Sequence, residues 1–111
     1  MAPLTYDEFL RVDLRVGTII RVEPNVQARK PAYCLWVDFG EIGVRTSSAQ
    51  VTDLYTEADL LGRQVVAVVN FPPRRIAGFS SECLVTGFPD DQGRVVLTAP
   101  ERPLPNGARL F

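Results

Sequence analysis

The chain of 111 residues contains no histidine, one lysine and only two cysteines. Without histidine it lacks the commonest general acid–base group, the Ser–His and Cys–His nucleophile pairs, and imidazole ligands for metals. Two distant cysteines, Cys34 and Cys83, and scattered carboxylates do not form a tetrahedral zinc site. Glycine-rich phosphate loops of the GxxxxGK[ST] or GxGxxG type are also missing. We therefore expect a protein that is not an enzyme and that holds no metal and no cofactor.

The sequence also lacks a long hydrophobic run. No apolar stretch approaches the roughly 20 residues of a membrane span, and residues 1–5 show neither the basic nor the apolar segment of a secretory signal. Cys34 and Cys83 form no CxxC pair, so reduced core thiols are favoured over a disulfide. We expect a cytoplasmic protein without membrane insertion.

The net charge of −1 conceals an uneven distribution. Residues 24–37, 42–52 and 60–81 together contain six basic residues and no acidic one, whereas the rest of the chain carries six bases and 13 acids. One interpretation is chance, because these stretches are chosen for their lack of acids and some clustering of charge is expected. The other interpretation is one positive face on an acidic body, which would attract polyanions locally.

Short β-patterned segments dominate the chain. Val12, Leu14 and Val16 alternate with polar residues, and similar patterns recur between glycine and proline interruptions. Gly17 inside the first segment predicts a bulge or a sharp bend, which lets a small sheet curl into a barrel. The predicted strands cover residues 12–22, 33–39, 44–49, 64–69, 82–87 and 94–99, and the last two form a hairpin.

Helices and loops complete this outline. Thr5-x-x-Glu8 resembles a capping box and predicts a short helix over residues 5–10. Residues 52–61 predict a second short helix, and the proline-rich C-terminal tail should run extended over the surface. Together these elements predict an all-β protein: an OB-fold, or five-stranded Greek-key β-barrel, with short helices, formed as a single domain by residues 1–111.

The most distinctive segment is the run Val65–Glu82. A buried strand, Val65–Val69, leads into two prolines, two arginines and a glycine flanked by phenylalanines. A strand that delivers an arginine-rich, aromatic-flanked loop to one end of a barrel is typical of a binding surface. Because nothing in this loop resembles catalytic machinery, the sequence predicts a binding protein.

Several motifs resemble those of one known family, and they cover nearly the whole chain. In chain order they resemble the CsaA family of small bacterial export-related chaperones, which is similar in turn to the tRNA-binding domains of some methionyl- and phenylalanyl-tRNA synthetases. The NFPPRRIAGF string is the most specific part, whereas DxRxG is shared with the wider family. The motifs are Asp13–Gly17, Asp38–Gly40, Thr46–Thr52, Val65–Glu82 and Pro105–Gly107.

The resemblance implies an OB-fold homodimer that acts as a chaperone for unfolded precursor proteins and cooperates with the SecA export motor. It also implies an affinity for tRNA. Two functional hypotheses follow: a chaperone that binds unfolded precursor proteins for export without catalysis or, alternatively, a structure-specific tRNA-binding protein. A net charge of −1 and a single lysine are unfavourable for binding a polyanion.

Candidate binding residues lie on the arginine-rich loop and its predicted neighbours. Arg74 and Arg75 follow two prolines, so a stiff loop presents their guanidinium groups to carboxylates or phosphates. Each candidate also has an ordinary structural interpretation, such as a core contact, a turn or an internal hydrogen bond. The predicted client- or tRNA-binding residues are Arg29, Lys30, Ser48, Gln50, Asn70, Phe71, Arg74, Arg75, Phe79 and Ser81.

Trp36 lies on the mixed face of its strand, on the side of Cys34 and Asp38. A large ring on such a face suits a subunit interface, where tryptophan is enriched. We expect Trp36, or the proline-rich tail, to contribute to a homodimer.

Overall fold

The computed structural model describes residues 1–111 and consists mostly of β-strands. The helices are α1 (Tyr6–Leu10) and α2 (Glu57–Leu60), and a 3-10 turn spans Gly40–Ile42. Neither helix is long and apolar enough to cross a bilayer. The strands are β1 (Leu14–Pro24), β2 (Tyr33–Asp38), β3 (Val44–Ala49), β4 (Gln64–Val68), β5 (Arg74–Ile76), β6 (Phe79–Ser81), β7 (Leu84–Val85), β8 (Gly87–Pro89) and β9 (Val95–Leu97).

Five antiparallel strands form the main sheet, in the order β3-β2-β1-β4-β7. β1 is long enough to serve two neighbours, because Leu14–Thr18 pairs with β4 and Thr18–Pro24 pairs with β2. The free edge of β3 meets the chain just before β7, where the Glu82 and Cys83 amides donate to the Thr46 carbonyl over 2.7 and 3.1 Å. These bonds nearly close the sheet into a barrel. The predicted OB-fold is confirmed.

The core fills the inside of this barrel. Leu35 and Val37 of β2 and Phe39 directly after it are fully buried, as are Ile19 of β1 and Val65 of β4. The alternation in the β2 sequence therefore predicts the inward face of that strand correctly. β3 occupies the predicted residues 44–49, and the predicted capping box of Thr5 and Glu8 starts α1.

Gly17 has a different role from the one predicted. Its pairing with Val65 is regular, and the irregular register of β1 lies between Ile19 and Arg21. A Cβ atom at Gly17 would lie 2.6 Å from Val37 Cγ1 and 2.7 Å from the Phe39 ring. Gly17 is therefore needed for close packing of β1 on the core, not for a bulge.

The last third of the chain also differs from the prediction. The final hairpin joins β8 to β9, whereas Leu84 and Val85 pair with β4 instead of belonging to that hairpin. The second helix is only the four residues Glu57–Leu60, and it ends before Gly62 as expected. The segment 70–82, predicted as a loop, contains the two-stranded hairpin β5–β6.

The C-terminal tail runs along β1, extended as predicted. The Gly107 and Leu110 amides donate to the Val16 and Leu14 carbonyls over 2.7 and 2.9 Å, and the Val16 amide donates to the Ala108 carbonyl over 2.9 Å. The tail thereby continues the sheet at the part of β1 that β2 does not cover.

Candidate binding cleft beside the arginine hairpin

The arginine hairpin, Arg74–Ser81, is formed by β5 and β6. Arg74 pairs with Ser81 and Ile76 pairs with Phe79, which leaves Ala77 and Gly78 as a two-residue turn. Both turn residues have positive φ, +48° and +79°, as type I′ hairpin turns require. The usual sequence signal of such a turn is Asn-Gly or Asp-Gly, so Ala-Gly conceals it.

Hydrogen bonds fix the base of the hairpin against β3. The Ser48 amide donates to Ser81 Oγ over 3.2 Å, and the Thr46 hydroxyl lies 2.6 Å from the Ser80 carbonyl oxygen. The Thr46 amide donates to Glu82 Oε1 over 3.1 Å. Two of the predicted binding residues, Ser48 and Ser81, therefore hold the hairpin in place.

A cleft of about 510 Å³ lies between the hairpin and the start of β7. We call it the hairpin cleft. Its exposed apolar rim includes Phe71, with 53% of its surface accessible, and Leu84, with 50%. The other residues around it are Pro72, Pro73, Arg74, Ile76, Ser81 and Cys83.

The two arginines of the hairpin differ in their surroundings. Arg75 donates from Nη2 to the Gly78 carbonyl over 2.7 Å and does not line the cleft. Arg74 lines the cleft, is exposed, and makes no side-chain hydrogen bond or ion pair. Arg74 is therefore the cation that remains available to a ligand.

Cys83 lies at the cleft but is only 4% exposed. Burial raises the pKa of its thiol to about 12, the charge of Glu82 acts in the same direction, and Arg45 opposes it. The thiol is therefore protonated at physiological pH and contributes an apolar wall, not a nucleophile.

Phe79 and Phe71, predicted to flank the loop, belong to different surfaces. The Phe79 ring packs edge-on against Trp36, with 5.4 Å between centroids and 73° between planes. The Arg21 guanidinium covers the Trp36 ring at 4.3 Å. Trp36, predicted to be an interface residue, thus has two contacts within its own chain and stays half-buried.

The other predicted site residues are distributed around the cleft. Arg29 and Lys30 are exposed on the β1–β2 loop, which reaches the hairpin at its turn, since a Cβ atom on Gly78 would lie 2.3 Å from Gln27 Oε1. Gln50 is exposed just after β3 and lines a separate pocket with Ser48.

Asn70 holds two chain segments together. Its Oδ1 accepts from the Asp13 amide over 3.0 Å, and its Nδ2 donates to the Arg11 carbonyl over 2.6 Å. Both ends of the carboxamide are therefore used within the fold. Of the ten predicted binding residues, the structure brings only Phe71, Arg74 and Ser81 together in the hairpin cleft.

Sequence reasoning overlooked the larger apolar groove under the tail, which we call the tail groove. It has a volume of about 790 Å³. Phe88 and Phe111 are 69% and 97% exposed, and Leu110 is 48% exposed. The available signal was the cluster of large apolar residues near the C-terminus. The groove walls come from β1, β4, the β8–β9 hairpin and the tail.

Comparison with known proteins agrees with this geometry. The family described as a putative tRNA binding domain matches residues 14–109, and the chain belongs to that family. Methionine–tRNA ligase of Pyrococcus abyssi is 37% identical over 105 residues, which cover 95% of this chain and 14% of that enzyme. The chain thus spans about one seventh of the ligases it matches.

Solved structures match the chain over its whole length. Chaperone CsaA from Bacillus anthracis has a TM-score of 0.92 and 50% identity, with 99% of this chain and 100% of that chain covered. CsaA chaperone protein from Picrophilus torridus has a TM-score of 0.91 and 42% identity, with 98% of this chain and 100% of that chain covered. A MetRS related protein from Pyrococcus horikoshii has a TM-score of 0.88 and 28% identity, with both chains covered completely. The resemblance to CsaA within the tRNA-binding domain family is confirmed.

Proposed function

We propose that this protein is a chaperone that binds unfolded segments of precursor proteins destined for export. The observation that carries the proposal is the hairpin cleft, where the exposed Phe71 and Leu84 lie beside the unpaired Arg74. An apolar cleft with one available cation suits a segment of mixed apolar and polar side chains. The likeness to two CsaA chaperone structures over the full chain supports the same function.

The mechanism is holding without catalysis. Apolar client side chains enter the hairpin cleft, while Arg29 and Lys30 on the adjoining β1–β2 loop attract clients by charge. Ordering a flexible client opposes binding, so we expect modest affinity and ready release. On this proposal residues 1–111 act as one domain in the cytoplasm and pass clients to the SecA motor.

We also propose that the active form is a homodimer joined across the tail groove. Exposed apolar surface of this kind commonly marks an interface, and Phe88, Leu110 and Phe111 supply it here. Replacing Phe111 and Leu110 with serine should shift the dimer towards monomer in analytical ultracentrifugation. A wild-type run that shows only a 12 kDa species at micromolar concentration would contradict the dimer.

Fluorescence anisotropy with a labelled unfolded precursor segment tests the chaperone function. We expect binding that unlabelled tRNA does not displace at physiological salt. Replacing Arg74 and Arg75 with alanine should weaken binding and leave the melting temperature unchanged. Arg63→Ala, at the opposite end of β4 from Asn70, is the matched control and should bind normally. A large fall in the melting temperature of the double variant would show that the pair is structural.

Binding of tRNA is the second candidate function. The family match and the methionine–tRNA ligase relatives favour it, together with Arg29, Lys30, Arg74 and Arg75 around one end of the barrel. The net charge of −1 opposes it. If tRNA is the ligand, raising the salt concentration should weaken binding steeply, because each phosphate contact releases counterions. Displacement of the precursor segment by tRNA would indicate that tRNA binding is the main function of the site.

A further inference from the structure

We propose that the hairpin cleft selects client segments in which a large apolar side chain stands next to an aspartate or glutamate. The cleft takes the apolar side chain, and Arg74 binds the neighbouring carboxylate. This specificity rests on the proposed chaperone function and assigns a substrate class to the same site.

The first support is the charge of the cleft. Arg74 is its only charged lining residue, and the other side chains around it are apolar apart from the Ser81 hydroxyl. A cation at the edge of an apolar cleft favours a carboxylate and repels lysine or arginine of a client. Low polarity around the cleft strengthens both effects.

The second support is that Arg74 has no partner within the chain. Its neighbour Arg75 is bonded to the Gly78 carbonyl, and Arg15 and Arg94 form ion pairs with Asp13 and Asp90. The acid next to the hairpin, Glu82, accepts from the Thr46 amide and lies 2.8 Å from the Thr46 hydroxyl. No acid of the protein therefore competes with a client for Arg74.

The third support is the fixed backbone that carries Arg74. Pro72 and Pro73 restrict the approach to β5, and Arg74 is paired with Ser81, whose hydroxyl is bonded to the Ser48 amide. Such a backbone lowers the entropy lost when a guanidinium group binds a carboxylate. The planar guanidinium can form two parallel hydrogen bonds to that carboxylate.

The size of the cleft sets the spacing of the two client residues. A volume of about 510 Å³ admits a few side chains at most. An extended client advances about 3.3 Å per residue, so a carboxylate one or two positions from the bound apolar residue lies within reach of the long Arg74 side chain.

Isothermal titration calorimetry with three peptides tests the specificity. The peptides are acetylated and amidated, share one leucine-centred sequence, and carry glutamate, glutamine or lysine beside the leucine. We expect the glutamate peptide to bind about tenfold more tightly than the lysine peptide, with glutamine between them, because Arg74 attracts one charge and repels the other. Arg74→Gln should remove the difference and Arg74→Glu should reverse it. Arg75→Gln should preserve the difference.

The outcomes separate this specificity from the chaperone function. Equal binding of all three peptides by the wild-type protein would overturn the specificity and leave the chaperone proposal standing. If the wild-type protein binds neither the peptides nor the unfolded precursor, both the specificity and the chaperone proposal are overturned. Equal peptide binding together with loss of tRNA binding in Arg74→Glu would assign the arginine to phosphate recognition and overturn the selection of acids.

Discussion

Two arginine-bearing regions of this molecule use the same side chain in different ways. At the tail, Arg15 Nε lies 2.6 Å from Asp13 Oδ1, and Arg109 Nε lies 3.4 Å from the same oxygen. Arg15 also donates to the Gly107 carbonyl over 3.0 Å, and Arg109 donates to the Leu10 carbonyl over 2.8 Å. At the hairpin cleft, Arg74 has no such partner.

The difference distinguishes arginines that the fold bonds internally from one whose guanidinium group stays free to meet a ligand. Asp13 and Arg15 belong to the DxRxG motif, and in this structure they fasten the tail to β1. We call Asp13, Arg15 and Arg109 the tail clamp. The tail clamp stabilises the fold, whereas the hairpin cleft is available for a ligand. Substitutions in the two regions should therefore affect stability and client binding differently.

Gly17→Ala should cause the largest loss of stability. The new methyl group would lie 2.6–2.7 Å from Val37 and Phe39. β1, which carries Arg15 of the tail clamp, would therefore have to move away from the core. We expect the free energy of unfolding to fall by about 3 kcal/mol in urea denaturation. Gly17 has no positive φ, so Gly17→Ala tests packing alone, whereas Gly93→Ala, with φ +79° and open space around it, tests backbone strain alone. A loss below about 1 kcal/mol in Gly17→Ala would refute the packing role of Gly17.

Asp13→Asn should be the second most damaging change. It removes the negative charge shared by Arg15 and Arg109, whose side chains are 24% and 40% exposed. Leaving a half-buried guanidinium group without its counter-charge should cost about 2 kcal/mol. Hydrogen exchange at the Gly107 and Leu110 amides should accelerate, because the tail loosens from β1.

Client binding by Asp13→Asn shows whether the tail clamp also takes part in binding or only stabilises the fold. If the tail clamp is purely structural, Asp13→Asn should bind the precursor segment normally at a temperature where it is folded and at a protein concentration where it is dimeric. Asp91→Asn, on the exposed β8–β9 turn, controls for the charge change. A specific loss of binding in Asp13→Asn would contradict the division.

The barrel was largely predictable from the sequence because local patterns and tertiary structure agree there. Alternation in β2 matches its buried face, and the capping box of Thr5 marks the start of α1. The pairing of residues 84–89 was not predictable, because the first part of this short segment pairs with β4 and the second part pairs with β9. Only the closed barrel decides which pairing each part adopts.

The candidate site was less predictable than the fold. Arg74 and Arg75 are adjacent and equivalent in the sequence, but the hairpin register directs them differently. That register depends on positive φ at Ala77, for which alanine gives no signal. Similarly, the sequence does not reveal that both ends of the Asn70 carboxamide are bonded to main-chain groups near α1.

The free energy of unfolding at alkaline pH should depend on the ionisation of Cys83, which lies at the hairpin cleft. The pKa of this thiol is raised from 9.0 to about 12 on folding, first by burial and then by Glu82. The folded state therefore keeps the proton between these values while the unfolded state loses it. The stabilisation is complete below pH 9 and is lost as the pH rises towards 12, by roughly 1 kcal/mol per pH unit.

Cys83→Ala isolates this contribution. The difference in unfolding free energy between wild type and variant, measured from pH 8 to pH 10.5, should shrink as the pH rises. Cys34→Ala should show a change in the same direction, because burial also raises the pKa of Cys34. A difference independent of pH for Cys83→Ala would show that the thiol at the cleft is open to solvent.

Arg74→Ala should have the smallest effect on stability. Arg74 has no partner to lose, so the free energy of unfolding should change by less than about 0.5 kcal/mol. Arg15→Ala, which breaks bonds to Asp13 and Gly107, should cost about 2 kcal/mol in the same urea titration. Client binding should show the opposite order, with Arg74→Ala weakened and Arg15→Ala normal. If Arg74→Ala instead destabilises the protein as much as Arg15→Ala, its guanidinium group is structural and the cleft has no free cation to offer a client.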